Sequence, residues 1–204
     1  MSDSPIRLGI FGGSFDPPHL GHMIIAQTIL EELALDKILF VPAAIPPHKT
    51  NKRHTSAEFR LKLVEAATAD NAAFEVSSIE VQKGGLSYSC DTIESIQKIY
   101  SESNLKIFLI IGEDNAETFH LWRHYTAILK MVTVIVYPRL GSCLQNAPKS
   151  IQEVVRIIKT PRIEISSSMI RRLLRENRRI SYLVPRAVDE LIAQNISSYE
   201  GTRG

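Results

Sequence analysis

Residues 6–27, IRLGIFGGSFDPPHLGHMIIAQ, decide how the rest of this chain is read. An apolar run, IRLGIF (6–11), meets two glycines, then a short stretch rich in proline and histidine, and then a helical pattern with Ala26, Ile29, Leu30 and Leu33 on one face. That stripe follows the i, i+3, i+4, i+7 spacing of a helix packed on a sheet. A buried strand that turns through glycines into a helix places its loop at the carboxyl edge of an open parallel sheet, where ligands bind. The glycines let backbone approach a ligand, and helix amides with the helix dipole favour an anion. The spacing fits neither GxGxxG nor GxxxxGK[ST]. No third ligand forms a convincing zinc pattern with His19 and His22.

Outward from this stretch the pattern alternates. Strands are expected at 37–41 (KILFV), 74–81 (FEVSSIEV), 107–111 (IFLII), 132–137 (VTVIVY) and 162–165 (RIEI), with helical stretches between them. Thr55 with Glu58, and Asp91 with Glu94, have capping-box spacing. Pro185 is placed to open a last helix, and 51–56 and 140–150 read as exposed loops. The expected fold is α/β: a Rossmann-like open, mostly parallel sheet with helices on both faces, in a single domain spanning 1–204, with a helical C-terminal part at about 166–198.

Composition narrows the function classes. The chain has 204 residues and a formal net charge of +2, so no broad basic face for nucleic acid is expected. No apolar run approaches the roughly 20 residues that span a bilayer, and MSDSPIR does not read as a secretory signal. Cys90 and Cys143 form no CxxC pair and read as free thiols. A cytoplasmic protein is expected, bound to neither membrane nor nucleic acid, with homo-oligomer formation left open.

GSFDP followed by HLGH resembles the first motif of the nucleotidylyltransferases, relatives of the class I aminoacyl-tRNA synthetases. The resemblance implies ATP binding by Phe11, Gly12, Gly13, Ser14, His19 and His22, with the two histidines stabilising charge as pyrophosphate leaves. IEISSSMIRRLLRENRR (163–179) resembles the family's Ile-Ser-[Ser/Thr]-x-x-Ile-Arg element, which implies that Ser167, Ser168 and Arg171 grip ATP phosphates. Arg172, Arg175, Arg178 and Arg179 read instead as a solvated helix face.

Four further stretches, PPHK (46–49), SYSCDT (87–92), IIGEDN (110–115) and LWRHY (121–125), together resemble the bacterial nicotinate mononucleotide adenylyltransferases. That family implies ATP and nicotinate mononucleotide as ligands and Mg²⁺ carried on the ATP phosphates. By position, Trp122 stacks on the pyridine ring, and the Ser89 and Arg123 amides take its carboxylate. His48 and Lys49 lie near the mononucleotide phosphate, Asp114 accepts from ribose, and Arg139 matches the arginine after the fifth strand. The rival readings are adenylyl transfer to phosphopantetheine or nicotinamide mononucleotide, and a non-enzymatic RNA-binding relative.

Overall fold

The computed structural model describes residues 4–46, 55–101, 103–139 and 141–196. Its elements run in the order β1 (Ile6–Gly13), α1 (Leu20–Glu32), β2 (Lys37–Pro42), α2 (Ala57–Thr68), β3 (Phe74–Val76), α3 (Ile79–Lys83), α4 (Ser89–Ile99), β4 (Leu105–Gly112), α5 (Glu113–Thr118), α6 (Tyr125–Met131), β5 (Thr133–Tyr137), α7 (Lys149–Gln152), β6 (Arg156–Ile157), α8 (Ser167–Arg175) and α9 (Arg186–Gln194). The six strands form one sheet in the order β3-β2-β1-β4-β5-β6. This is the Rossmann-like order, which reverses direction between β1 and β4. Parallel pairing carries Ile6 opposite Leu105 through Phe11 opposite Ile110, and Phe108 opposite Thr133 through Gly112 opposite Tyr137. The segments that leave the carboxyl ends of β1, β4 and β5 carry many of the candidate residues, and Ser89, Ser167, Ser168 and Arg171 lie on α4 and α8. Among the described residues no helix is long and apolar enough to cross a membrane.

The chain parts into two compact units. One holds residues 1–12, 25–39 and 88–163; its core is made of near-continuous apolar runs, with Ile107 to Ile111 and Val134 to Val136 all buried. Such runs are what a parallel strand needs when both of its faces are covered. The stripe of Ala26, Ile29, Leu30 and Leu33 is buried as its spacing requires. The other unit holds 13–24, 40–87 and 164–204. There Leu63 and Ala67 of α2 pack with Ile170 and Leu173 of α8, with Ile180 and Val184, and with Val188 and Ile192 of α9.

The structure corrects four local expectations. The strand of 74–81 stops at Val76, because consecutive serines turn the chain: the Ile79 amide donates to Ser77 Oγ at 3.4 Å, and 79–83 is helical. RIEI (162–165) is not a strand. The edge of the sheet is Arg156–Ile157, and Pro161, with no amide hydrogen, stands just after the last ladder bond, from Ile158 N to Val136 O. Neither expected capping box forms. Ser56 caps α2, accepting from the Phe59 amide, and Tyr88 holds the cap position of α4. The stretch 140–150, read as a loop, contains a short 3₁₀ turn at Leu144–Asn146 and the start of α7.

Candidate active site

The candidate residues fall into two groups, one in each unit. The first lies in the unit of 13–24, 40–87 and 164–204, and brings Gly13, Ser14, His19, His22, Ser167, Ser168 and Arg171 together. Its centre is the turn after β1. Phe15 takes φ +46°, in the left-handed region, which costs a non-glycine residue about 1–3 kcal/mol and persists only where its surroundings fix it. Those surroundings are two guanidinium groups. Arg60 Nη1 donates to the Ser14 carbonyl at 2.7 Å, and Arg171 Nη1 donates to the Asp16 carbonyl at 2.7 Å. Asp16 itself is buried; its Oδ2 accepts from the Thr55 amide at 3.4 Å and lies 4.0 Å from Arg171.

The two histidines stand side by side, with imidazole rings stacked 3.7 Å apart at 25°. The amide of His19 donates to His22 Nδ1 at 3.2 Å, so the neutral His22 ring carries its hydrogen on Nε2. The Phe15 ring meets His22 edge-on at 5.0 Å. Across from them α8 begins. Ser166 caps it by accepting from the Met169 amide, Ser167 Oγ donates to the Pro17 carbonyl at 2.9 Å, and Arg171 Nη2 donates to Ser168 Oγ at 3.2 Å. The result is a cluster of donors around a helix N-terminus, suited to an anion. The remaining arginines of this stretch are exposed, as their solvated-face reading expects. Arg172 and Arg178 reach Glu176 at 4.0 and 3.7 Å.

The second group lies in the other unit and contains Ser89, Asp114, Trp122, Arg123 and Arg139. Strand β4 ends at Gly112, where an added Cβ would lie 2.5 Å from Asp114 Oδ1 and 3.3 Å from Tyr137, so glycine lets the carboxylate sit against the strand end. Asp114 Oδ2 accepts from Arg139 Nη1 at 3.0 Å, while its buried Oδ1 has no hydrogen-bond partner among the described residues. Glu113 accepts from the Arg139 amide, and Glu117 accepts from the Cys143 amide and Asn146 Nδ2 at 2.8 and 3.2 Å. Three carboxylates of α5 thus hold the segment after β5. Burial pushes the Tyr137 phenol up to about 12, with Arg139 opposing the shift and Asp114 adding to it.

Trp122 packs on Phe119, ring centres 5.0 Å apart, and its buried Nε1 lacks a partner among the described residues. The Arg123 guanidinium lies 4.8 Å over the Tyr88 ring and 3.9 Å from the Asp91 carboxylate, which ties this loop to the start of α4, where Ser89 is the first helical residue. Phe11 is buried in β1, edge-on to Tyr137 at 6.0 Å, and Gly12 beside it is exposed. His48 and Lys49 lie outside the described residues. Asp16, Arg60 and Ser166 escaped the sequence reading, and Thr55 entered it only as a helix cap; Asp16 had a signal, standing inside GSFDP, and Arg60 had none nearby.

Residues 10–173 match the cytidylyltransferase-like family. A protein of Gemmatimonas aurantiaca named probable nicotinate-nucleotide adenylyltransferase is 37% identical over 204 residues, covering 98% of this chain and 95% of its own. One of the same name from Geobacillus thermodenitrificans is 37% identical, covering 89% and 81%. Among solved structures, Plasmodium falciparum nicotinic acid mononucleotide adenylyltransferase complexed with NaAD has a TM-score of 0.76 at 17% identity, covering 94% of this chain and 97% of that one. A putative nicotinate-nucleotide adenylyltransferase from Vibrio parahaemolyticus has a TM-score of 0.67 at 24% identity, covering 97% and 96%. At such identities the structural likeness speaks for the fold.

Proposed function

This chain belongs to the cytidylyltransferase-like family, and from that premise we propose that it transfers the adenylyl group of ATP to nicotinate mononucleotide, giving the deamidated dinucleotide precursor of NAD and pyrophosphate. The names borne by its relatives support the substrate pair. The observation that carries the reading within this chain is the donor cluster of His19, His22, Arg171 and the α8 N-terminus around one strained turn.

The chemistry asks for no enzyme nucleophile. A phosphate oxygen of the mononucleotide attacks the α-phosphorus of ATP in line, and the bond from that phosphorus to the oxygen bridging the α- and β-phosphates breaks. The electron pair leaves on pyrophosphate. Negative charge grows on the leaving oxygens, so the useful groups are fixed donors aimed at it. In our reading His22 Nε2, His19 and Arg171 serve the leaving phosphates, while Gly13, Ser14, Ser167 and Ser168 hold the triphosphate. Arg171 is itself steadied by the Asp16 carbonyl, so its direction is set before a ligand arrives.

In the second group, Trp122 offers a face for the pyridine ring, and the amides of Ser89 and Arg123 suit a carboxylate. Asp114, whose buried Oδ1 has no hydrogen-bond partner among the described residues, suits a ribose hydroxyl. Arg139 stands beside it at 3.0 Å. Mg²⁺ would supply further charge neutralisation on the phosphates. In this reading the ion arrives with the nucleotide, held by phosphate oxygens and water.

The test is pyrophosphate release from ATP with nicotinate mononucleotide, nicotinamide mononucleotide and phosphopantetheine in turn. Amide donors aimed at a carboxylate mismatch the NH₂ of the neutral amide, so nicotinate mononucleotide should be preferred by at least about 30-fold in kcat/KM. Equal efficiency with acid and amide would overturn the assignment of Ser89, Trp122 and Arg123. Release with phosphopantetheine alone would replace the substrate.

A further inference from the structure

Arg60 is 1% exposed, among the most deeply buried large side chains of the described residues, and the reaction assigns it no contact with a ligand. Its guanidinium donates to three main-chain carbonyls on three separate segments. Nε reaches Thr55 O at 2.9 Å, Nη1 reaches Ser14 O at 2.7 Å, and Nη2 reaches Ala44 O at 2.9 Å. Burying a cation is costly, and a well-packed apolar side chain of similar volume often serves stability as well or better. What the guanidinium adds is direction: a planar fork whose donors fix three carbonyls at set angles.

The Ser14 bond matters most. In a trans peptide the carbonyl and the following amide point in opposite directions, so holding Ser14 O toward Arg60 turns the Phe15 amide away from it. Arg171 holds the Asp16 carbonyl, one residue beyond Phe15, at 2.7 Å. The peptide that precedes the Phe15 α-carbon is therefore held by Arg60 and the Asp16–Pro17 peptide, one residue further on, by Arg171, with Phe15 at φ +46° between the two anchors. Its ring, in turn, lies edge-on to His22 at 5.0 Å. Losing the Arg60 bond lets Phe15 relax toward ordinary φ, carrying the ring away from the imidazole.

We propose that Arg60 is a positioning residue for adenylyl transfer, which acts through the Ser14 carbonyl and the Phe15 turn to keep the His22 imidazole aligned. The proposal deepens the function proposed above and rests on it for the reaction, though its geometry stands on its own.

The experiment compares the full-length protein with Arg60→Met and Arg60→Lys, and with Leu63→Ala as a core variant of the same helix. In Arg60→Met, kcat should fall about 10- to 100-fold while KM for ATP stays within about 3-fold, because the defect is misalignment in the transition state. Arg60→Lys, with a charge but no fork, should fall between. Leu63→Ala should lower the melting temperature while leaving kcat within about 2-fold. The second readout needs no substrate: the ¹⁵N and ¹H resonances of the His22 ring should move in Arg60→Met and stay in Leu63→Ala. Wild-type kcat with unmoved His22 resonances in folded Arg60→Met overturns the proposal, as does an equal kcat loss in Leu63→Ala. Where Arg60→Met does not fold, Arg60→Lys carries the same two measurements. If the wild-type protein releases no pyrophosphate, the reaction is at fault, and the imidazole resonances decide the role of Arg60 alone.

Discussion

The two candidate groups use the same device with opposite charge. Around the turn after β1, cations hold main-chain carbonyls: Arg60 takes Ser14, Ala44 and Thr55, and Arg171 takes Asp16. Around the end of β4, anions hold main-chain amides: Glu113 takes Arg139 and Glu117 takes Cys143. A carbonyl engaged by a guanidinium leaves amides and further donors for a ligand, which suits phosphate. An amide engaged by a carboxylate leaves acceptors, such as Asp114 Oδ1, which suits a hydroxyl. The sign of the group that fixes the loop thus matches the kind of ligand atom the loop can receive.

If this contrast is right, the donor side governs rate and the acceptor side governs binding. The sharpest break would come from His22→Ala, which should lower kcat about 100- to 1000-fold with the fold intact. A folded variant of full activity removes the donor side from the chemistry. The next largest effect belongs to the acceptor side and to stability. Tyr137 is held neutral to about 12, whereas a phenol in the unfolded chain ionises near 10. Below pH 10 both states are protonated and the stabilisation is fully present. Between pH 10 and 12 only the unfolded chain ionises, so about 3 kcal/mol should be lost across that window. Urea unfolding of wild type and Tyr137→Phe at pH 9, 10 and 11 checks this; parallel declines would show that Tyr137 is not the cause.

A smaller effect should separate the two groups directly. Gly112→Ala puts a methyl group 2.5 Å from Asp114 Oδ1, so the carboxylate must swing aside. We expect KM for a ribose-bearing substrate to rise about 10-fold while kcat stays within about 2-fold. A pure kcat loss would erase the distinction between the groups. Smallest of all is Arg123→Ala. Its guanidinium faces Tyr88 and Asp91, half exposed, and such surface pairs contribute little, so the preference for acid over amide should change by less than about 3-fold. A collapse of that preference would place the charge at the ring carboxylate.

Legibility followed sequence distance. The β1 turn and the α8 start are contiguous stretches, so GSFDPPHLGH and ISSSMIR carry their resemblance to the family in the sequence itself. Arg60 could not. Its partner Ser14 is 46 residues away, and in the sequence it stands only as one charged position in an amphipathic helix. Thr55 was read as a cap through correct spacing but one residue off; the cap is Ser56, and Thr55 was drawn inward by Asp16, 39 residues earlier. RIEI failed for another reason. Local β-propensity is real there, but a strand exists only where a neighbour's ladder is open, and the last ladder bond, at Ile158, precedes Pro161 and this stretch.

The shared bond between the histidines divides one side chain into two jobs. His22 Nδ1 receives the His19 amide, which leaves Nε2 as the nitrogen that bears hydrogen. Replacement at this position is therefore directional. Asparagine offers an oxygen near the place of Nδ1 and can keep the architecture while giving up the chemistry. Glutamine reaches the place of Nε2 with an N–H and can keep the chemistry while giving up the architecture. Imidazole is the one side chain in the genetic code whose two nitrogens stand on opposite sides of a rigid ring, so position 22 has no neighbour in amino-acid space that fills both roles at once.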